Sequence, residues 1–481
     1  MHLLIDYIRQ FGRFQRNARL YLISNALSGV SVGITVVLYN LYLVSLGYRA
    51  DFIGAILFSA TIGAAIAIFP AGVCVDRFGG KVVLIGSSLI IGVAGAGQIL
   101  FRQPIPLLVS GFFAGVAGAA LLVVNAPFLT ANSTPDERPH LFSLNIVLSL
   151  VTTVLGEVLG GALPQWFRSI SWFMAPLPQG ITWLLASQPE PRFYQLALLF
   201  AGVIAAPSLI PLFLLRNDRP ARISEERVHL PGPVVPPPRP MAPPRGATTF
   251  WWTIVDAIRQ ISLPTILQSP LFILVLVQVL VGLGAGLFIP YFNIYFVQHL
   301  KASSELFGLI DGGANTINAL LTLVVPWLAM RIGKVNTIAL TRLISIPLLL
   351  TIGLTNILPV AALLYLFRQG MMDMSLGILQ VFSMEVVPEQ HRGLANSSYQ
   401  ASFQAAWALT APLGGLIIVH FGYSPIFVIG AVCYLLSIAV LWGRFGWRKE
   451  KRPGYQVESG PGQMPPEASR LDVSSEELLP S

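Results

Sequence analysis

The chain has 481 residues, of which 54% are hydrophobic and only 11% charged, with a formal net charge of +8 and a mean hydropathy of +0.70. Soluble domains carry roughly 25% charged residues, so this composition excludes a water-covered globule and makes lipid the solvent for most of the surface. The positive excess sits in short segments between apolar runs, which gives it a topological meaning and argues against nucleic acid as a partner. Cys74 and Cys433 imply no disulfide framework.

About 20 residues at about 1.5 Å each cross roughly 30 Å of hydrocarbon. Cut at charges, prolines and glycines on that basis, the chain predicts twelve membrane spans: 20–46, 52–73, 82–101, 104–131, 141–166, 193–215, 270–297, 305–329, 336–356, 359–386, 393–419 and 424–443. Arg9, Arg13, Arg16 and Arg19 precede the first span as they would a signal peptide, but the apolar run behind them is too long and lacks a cleavage site. A further apolar stretch lies between Arg168 and Arg192. Pro176, Pro178 and Gly180 interrupt it, and Trp172 and Trp183 suit a membrane interface, so it reads as a loop.

Residues 1–216 and 263–446 are thus expected to form two six-helix bundles. The connecting segment 217–262 contains VVPPPRPMAPPR, a composition that stays extended. Its end places Phe250, Trp251, Ile254, Val255, Ile258 and Ile261 on one stripe, as expected of an amphipathic helix lying on the membrane face. Residues 447–481 are rich in Pro, Ser, Gly and Glu and are expected to be a disordered tail. Most of the 30 basic residues fall on the side of the N-terminus and the linker, so the positive-inside rule predicts cytoplasmic termini in an inner membrane.

The two halves repeat each other. An offset of about 253 residues aligns Gly29 with Gly282, Gly33 with Gly286, Asn40 with Asn293, Tyr42 with Tyr295, Gly54 with Gly308, Arg77 with Arg331, Gly79 with Gly333, Pro135 with Pro388, and Gly160-Gly161 with Gly414-Gly415. Parallel repeats of this kind place a binding site near the midplane between the halves.

After the second span the chain reads GVCVDRFGGK, in which Gly72 is expected to allow close helix approach, Asp76 to sit near a neighbouring helix N-terminus, and Gly79 to permit a tight turn, with Arg77 and Lys81 holding the loop in the cytoplasm. This loop resembles the signature G-x-x-x-D-R-x-G-R-[RK] of the major facilitator superfamily, matching at Gly72, Asp76, Arg77, Gly79 and Lys81 and departing at Gly80. A degenerate copy in the second half keeps Arg331, Gly333 and Lys334, with Pro326 and Met330 at the glycine and aspartate positions. The resemblance implies an all-α membrane protein with twelve transmembrane helices in two pseudo-symmetric bundles, working as a secondary carrier by alternating access. Drug exporters of that family often carry G-P-x-x-G-G in the fifth span; here the stretch is GEVLGG, with Glu157 in place of the proline.

Glu157, Asp311, Arg368 and Asp373 fall inside predicted spans. Each costs about 2.5 to 3.5 kcal/mol at a helix centre on the insertion scale, so they must be paired, hydrated or neutral. Glu157, Asp311 and Arg368 have depths that allow a common layer. Arg368 keeps its proton, so the expected coupling scheme has Asp311 or Glu157 alternate between pairing with Arg368 and holding a proton. Asp373, Asn40, Asn293, Asn315 and Asn318 are expected to supply polar cavity contacts. A static network that fixes the bundle is the alternative. Arg342 and Glu385 are read as residues near the cytoplasmic helix ends that snorkel.

The sequence contains no Walker A loop, no metal-ligand spacing and no nucleophile–base arrangement, so ATP-driven pumping, a metal centre and catalysis are not expected. The leading expectation is a monomeric carrier of a small organic solute, needing no cofactor beyond an ion gradient, with protons driving export. Proton-coupled uptake of a metabolite, and a non-transporting sensor or scaffold that docks through its linker, stay open as alternatives.

Overall fold

A computed structural model of the chain describes residues 14–134, 137–176, 178–216, 269–387 and 392–446. The amphipathic helix expected near residue 255, the tail after 446, and the Pro135 and Pro388 repeat pair lie outside these residues. The first half comprises α1 (Arg16–Ser45), α2 (Ala50–Phe78), α3 (Gly80–Leu100), α4 (Pro104–Ala131), α5 (Arg138–Ser169) and α6 (Pro189–Ala205). The second comprises α7 (Pro270–Phe288), α8 (Ser304–Ile332), α9 (Lys334–Leu354), α10 (Leu358–Asp373), α11 (Leu376–Val386), α12 (Arg392–Phe421) and α13 (Ser424–Phe445).

Among the described residues, 11 helices are long and apolar enough to cross a membrane. The remaining predicted span, the tenth, is divided at Met374–Ser375 into α10 and α11, each too short to cross alone. With that division the twelve-span, two-bundle architecture stands. The stretch before α6 forms only a one-turn helix at Ser171–Met174 and a 3-10 turn at Gln179–Ile181. Trp172 and Trp183 are exposed, as an interfacial loop requires. Arg192, 1% exposed, organises that loop by donating to the carbonyls of Phe173, Ala175, Ala186 and Ser187 at 2.6–3.0 Å.

The repeat pairs occupy equivalent places. Tyr42 donates to the carbonyl of Ile99 at 2.7 Å and Tyr295 to that of Ile352 at 2.5 Å. Gly33 of α1 lies against Thr153 and Glu157 of α5, and Gly286 of α7 against Trp407 and Thr410 of α12. Gly79 and Gly333 both have φ of 85°, a conformation glycine adopts without the steric cost of a side chain. The tight turn expected at Gly79 is therefore present. Gly72 corrects the expectation of close helix packing, because a Cβ added there meets nothing within 4 Å. The small residues that bring helices together lie nearer the opposite end of α2, where Gly54 and Gly63 touch backbone.

The halves meet at the end away from the linker, through α2 against α12 and α5 against α8. Gly54 approaches Ala411 and Pro412, Gly415 approaches Ala50, and Gly161 and Gly308 bring α5 and α8 into backbone contact. Without side chains at these points the helices close to van der Waals distance. Toward the linker the same faces part. Val147 and Val151 of α5 and Leu323 of α8 are 54%, 50% and 77% exposed. The bundle is thus sealed at one end and open at the other.

Candidate functional site

The seam between the halves is built from polar side chains of α1, α5, α7 and α8. Pro290 and the π-helical stretch Tyr295–His299 distort the end of α7. Asn40 Nδ2 donates to the freed carbonyl of Pro290 at 2.7 Å and to Asn293 Oδ1 at 3.3 Å. Asn293 Nδ2 returns to the carbonyls of Val36 and Val37 at 3.4 and 3.2 Å. These repeat-related asparagines therefore latch the closed end, which corrects their expected place as cavity contacts. An asparagine carries both donor and acceptor, so a symmetric pair can satisfy itself across the seam.

Deeper in the seam, Glu157 of α5 accepts two hydrogen bonds from Asn315 Nδ2 of α8, at 2.9 and 3.1 Å. Asp311, also on α8, accepts from the Tyr365 hydroxyl of α10 at 2.8 Å. Glu157 is 2% and Asp311 8% exposed, and each lies within the other's field. Two carboxyls from opposite halves thus share the seam with neutral partners. Among the described residues, the ion pairs within 4.0 Å are Arg168–Glu190 and Lys334–Glu385, so neither carboxyl has a cation against it.

Arg368 lies elsewhere. It is fully buried, with its guanidinium carbon 5.0 Å from the Phe288 ring centroid and 5.8 Å from those of Phe292 and Tyr434. Its Nη1 donates to Gln369 Oε1 at 3.0 Å and its Nη2 to the Tyr434 hydroxyl at 3.3 Å. Gln369 Nε2 in turn donates to Asp373 Oδ2 at 2.6 Å. The expected pairing of Arg368 with Glu157 or Asp311 is absent from this conformation, because Tyr365 takes Asp311 and the aromatic ring cluster takes Arg368. Asp373 belongs to the Arg368 group, and Asn318 keeps a buried Oδ1 with no partner.

Three residues of this network were not marked by the sequence: Tyr365, Gln369 and Tyr434. The spacing of Gln369 and Asp373 by one helical turn was the legible signal, whereas the ring cluster needed the fold. The reading of Arg342 as a snorkelling residue is corrected, since it is 1% exposed and faces inward from α9. Glu385 does lie at the helix end and pairs with Lys334.

The signature loop is a structural clamp at the linker end. Lys81 Nζ donates to the carbonyl of Leu215, just past the last turn of the sixth span, at 2.6 Å. Arg77 lies over Phe78 and its repeat partner Arg331 over Trp327, while Asp76 is exposed in the last turn of α2.

The family model of the Major Facilitator Superfamily matches residues 21–273 and 274–475, one match for each half. The chain belongs to the major facilitator superfamily. Its architecture agrees with solved carriers of the same fold. A bacterial homologue of the human lysosomal transporter Spinster, in an inward-facing and unoccupied conformation, superposes with a TM-score of 0.63 at 15% identity, over 89% of this chain and 96% of that one. A D-xylose-proton symporter gives 0.63 at 15% identity, over 89% and 97%. A bacterial homologue of the iron transporter ferroportin, inward-facing, gives 0.63 at 15%, over 89% and 98%. In sequence, the uncharacterized MFS-type transporter YhhS of Escherichia coli O6:H1 is 28% identical over 127 residues, 26% of this chain. The match spans only 30% of that relative's length. Membership in the superfamily, with its apolar helices, makes this chain a multi-pass membrane protein.

Proposed function

We propose that this protein is a proton-coupled transporter, with the Glu157–Asp311 pair as the proton-bearing site and the closed seam as the gate it controls. The single observation behind this reading is a pair of carboxyls from opposite halves, buried at the contact and held by Asn315 and Tyr365 instead of a cation. Two ionised carboxyls in a seam repel each other and lose their hydration, and one proton removes the repulsion and the desolvation cost of the group that takes it. Closure and protonation therefore favour each other. Separating α5 from α8 would break the Asn315 bonds and open both groups to water.

With the linker in the cytoplasm, as the distribution of basic residues supports, the open end faces inward and loads from the cytoplasm of an inner membrane. Protons taken up from outside would close the outer seam, and cytoplasmic solute would then leave in exchange. The reading is thus a proton-driven exporter of a small organic solute. It is tested in proteoliposomes containing a pH-sensitive dye, with a panel of candidate solutes. A solute that drives proton movement through the wild type should move none through Glu157→Gln or Asp311→Asn, while labelled solute still exchanges down its own gradient. Unchanged proton flux in both variants would remove the proposal, and protons moving in the same direction as the solute would replace export with uptake symport.

A further inference from the structure

Arg342 stands apart from the seam, in the core of the second half. Its Nε, Nη1 and Nη2 are buried and have no hydrogen-bond partner, and neither has the Oγ of Ser375, which is fully buried. Ser345 Oγ reaches Met372 Sδ at 3.7 Å, and Val335 and Ile338 share a cluster with Phe382 and Leu379. This antiparallel register of α9 against α10 and α11 places Arg342 level with Ser375, at the break between the two helices. There the N-terminus of α11 begins without a side-chain cap, and its first N–H groups lack intrahelical acceptors. Asp373 is the acidic group within electrostatic reach of both Arg342 and Arg368, and it already accepts from Gln369. One positive charge is in excess.

A buried guanidinium without a partner is heavily penalised, and the N-terminus of a half-helix favours an anion. Next to the break lies a cleft of about 190 Å³, lined by Gln278, Leu376, Leu379, Tyr399 and Phe403 among others. Leu376, the first residue of α11, lines this cleft, while Arg342 and Ser375, 1% and 0% exposed, lie behind it in the core. Gln278 Oε1 and the Tyr399 hydroxyl also lack partners.

We propose that Arg342, Ser375 and the N-terminus of α11 bind a small oxyanion, a carboxylate or phosphate, at the break between α10 and α11. The site requires neither a gradient nor proton coupling.

The test is thermal unfolding of the purified full chain in detergent micelles with acetate, inorganic phosphate or chloride at equal ionic strength, since a ligand of the native state raises the midpoint. Acetate or phosphate should stabilise the wild type more than chloride does. Arg342→Gln should raise the concentration needed about 10- to 100-fold, the loss expected for a charged hydrogen bond. Ser375→Ala, a milder change in case Arg342→Gln does not fold, should raise it several-fold. Asp373→Asn removes the competing carboxylate and should lower it. Equal midpoints in all three anions, or stabilisation by chloride alone, which marks a resident ion, would overturn the assignment. So would an Asp373→Asn protein that loses both stability and its anion response, because Asp373 would then be the structural partner of Arg342.

Discussion

Replacing Gly161 by valine should open the sealed end. A Cβ at this position would lie 2.6 Å from the carbonyl oxygen of Ser304 and 3.1 Å from Cα and O of Glu305. All three are backbone atoms of α8 or its first turn, so no side-chain rotation relieves the clash. Overpacking of this kind costs about 1–3 kcal/mol. The cost falls only on the state in which α5 touches α8, and separation of the halves removes it. The population ratio of closed to open should therefore shift about 5- to 150-fold. Gly33→Ala provides the control, since its Cβ would lie 2.7 Å from the amide nitrogen of Glu157 within the same half. That clash persists in both states and should appear as lost stability. Spin labels at Arg49→Cys and His420→Cys, both exposed and flanking the α2–α12 contact, report the opening by pulsed dipolar spectroscopy once Cys74 and Cys433 are replaced by serine. A short, unchanged distance distribution in folded Gly161→Val, or a long one in Gly33→Ala, would refute the gate as described.

Asn40→Ala and Asn293→Ala should each lower the closed population by about 0.5–1.5 kcal/mol, and the double variant should lose less than the sum, because the two share bonds; the same label pair measures this. Gly79→Ala and Gly333→Ala should each destabilise the protein by about 1–3 kcal/mol through strain at φ of 85°, and similar drops in Tm are expected because the turns are copies. Arg192→Met removes the donor to four loop carbonyls. Hydrogen exchange should then show residues 171–188 losing protection while α1 to α5 keep theirs.

The number of crossings, the duplication and the family were legible in the chain because they follow from local physics. An apolar run of about 20 residues has few alternatives to crossing the bilayer. A repeated glycine or tyrosine at a fixed offset likewise implies a repeated contact, and Tyr42 and Tyr295 make theirs to carbonyls of Ile99 and Ile352. Counting depth put Glu157, Asp311 and Arg368 in one layer, and the structure sets Arg368 in a separate group. The count also failed at Arg342 because position along a helix says nothing about which way the side chain faces, and a long basic side chain near an end is consistent with either water or core.

What the sequence determined by itself is therefore the solvent, the two six-span halves and the turns at Gly79 and Gly333, all set by interactions between near neighbours or by the bilayer. Only the tertiary structure decided which end is sealed, that Asn40 and Asn293 latch that end, that Tyr365 holds Asp311 while Gln369 and Tyr434 hold Arg368, and that the tenth span breaks beside Arg342. Those outcomes depend on pairings between helices hundreds of residues apart, where rotation about each helix axis selects the partner and no local pattern records the choice.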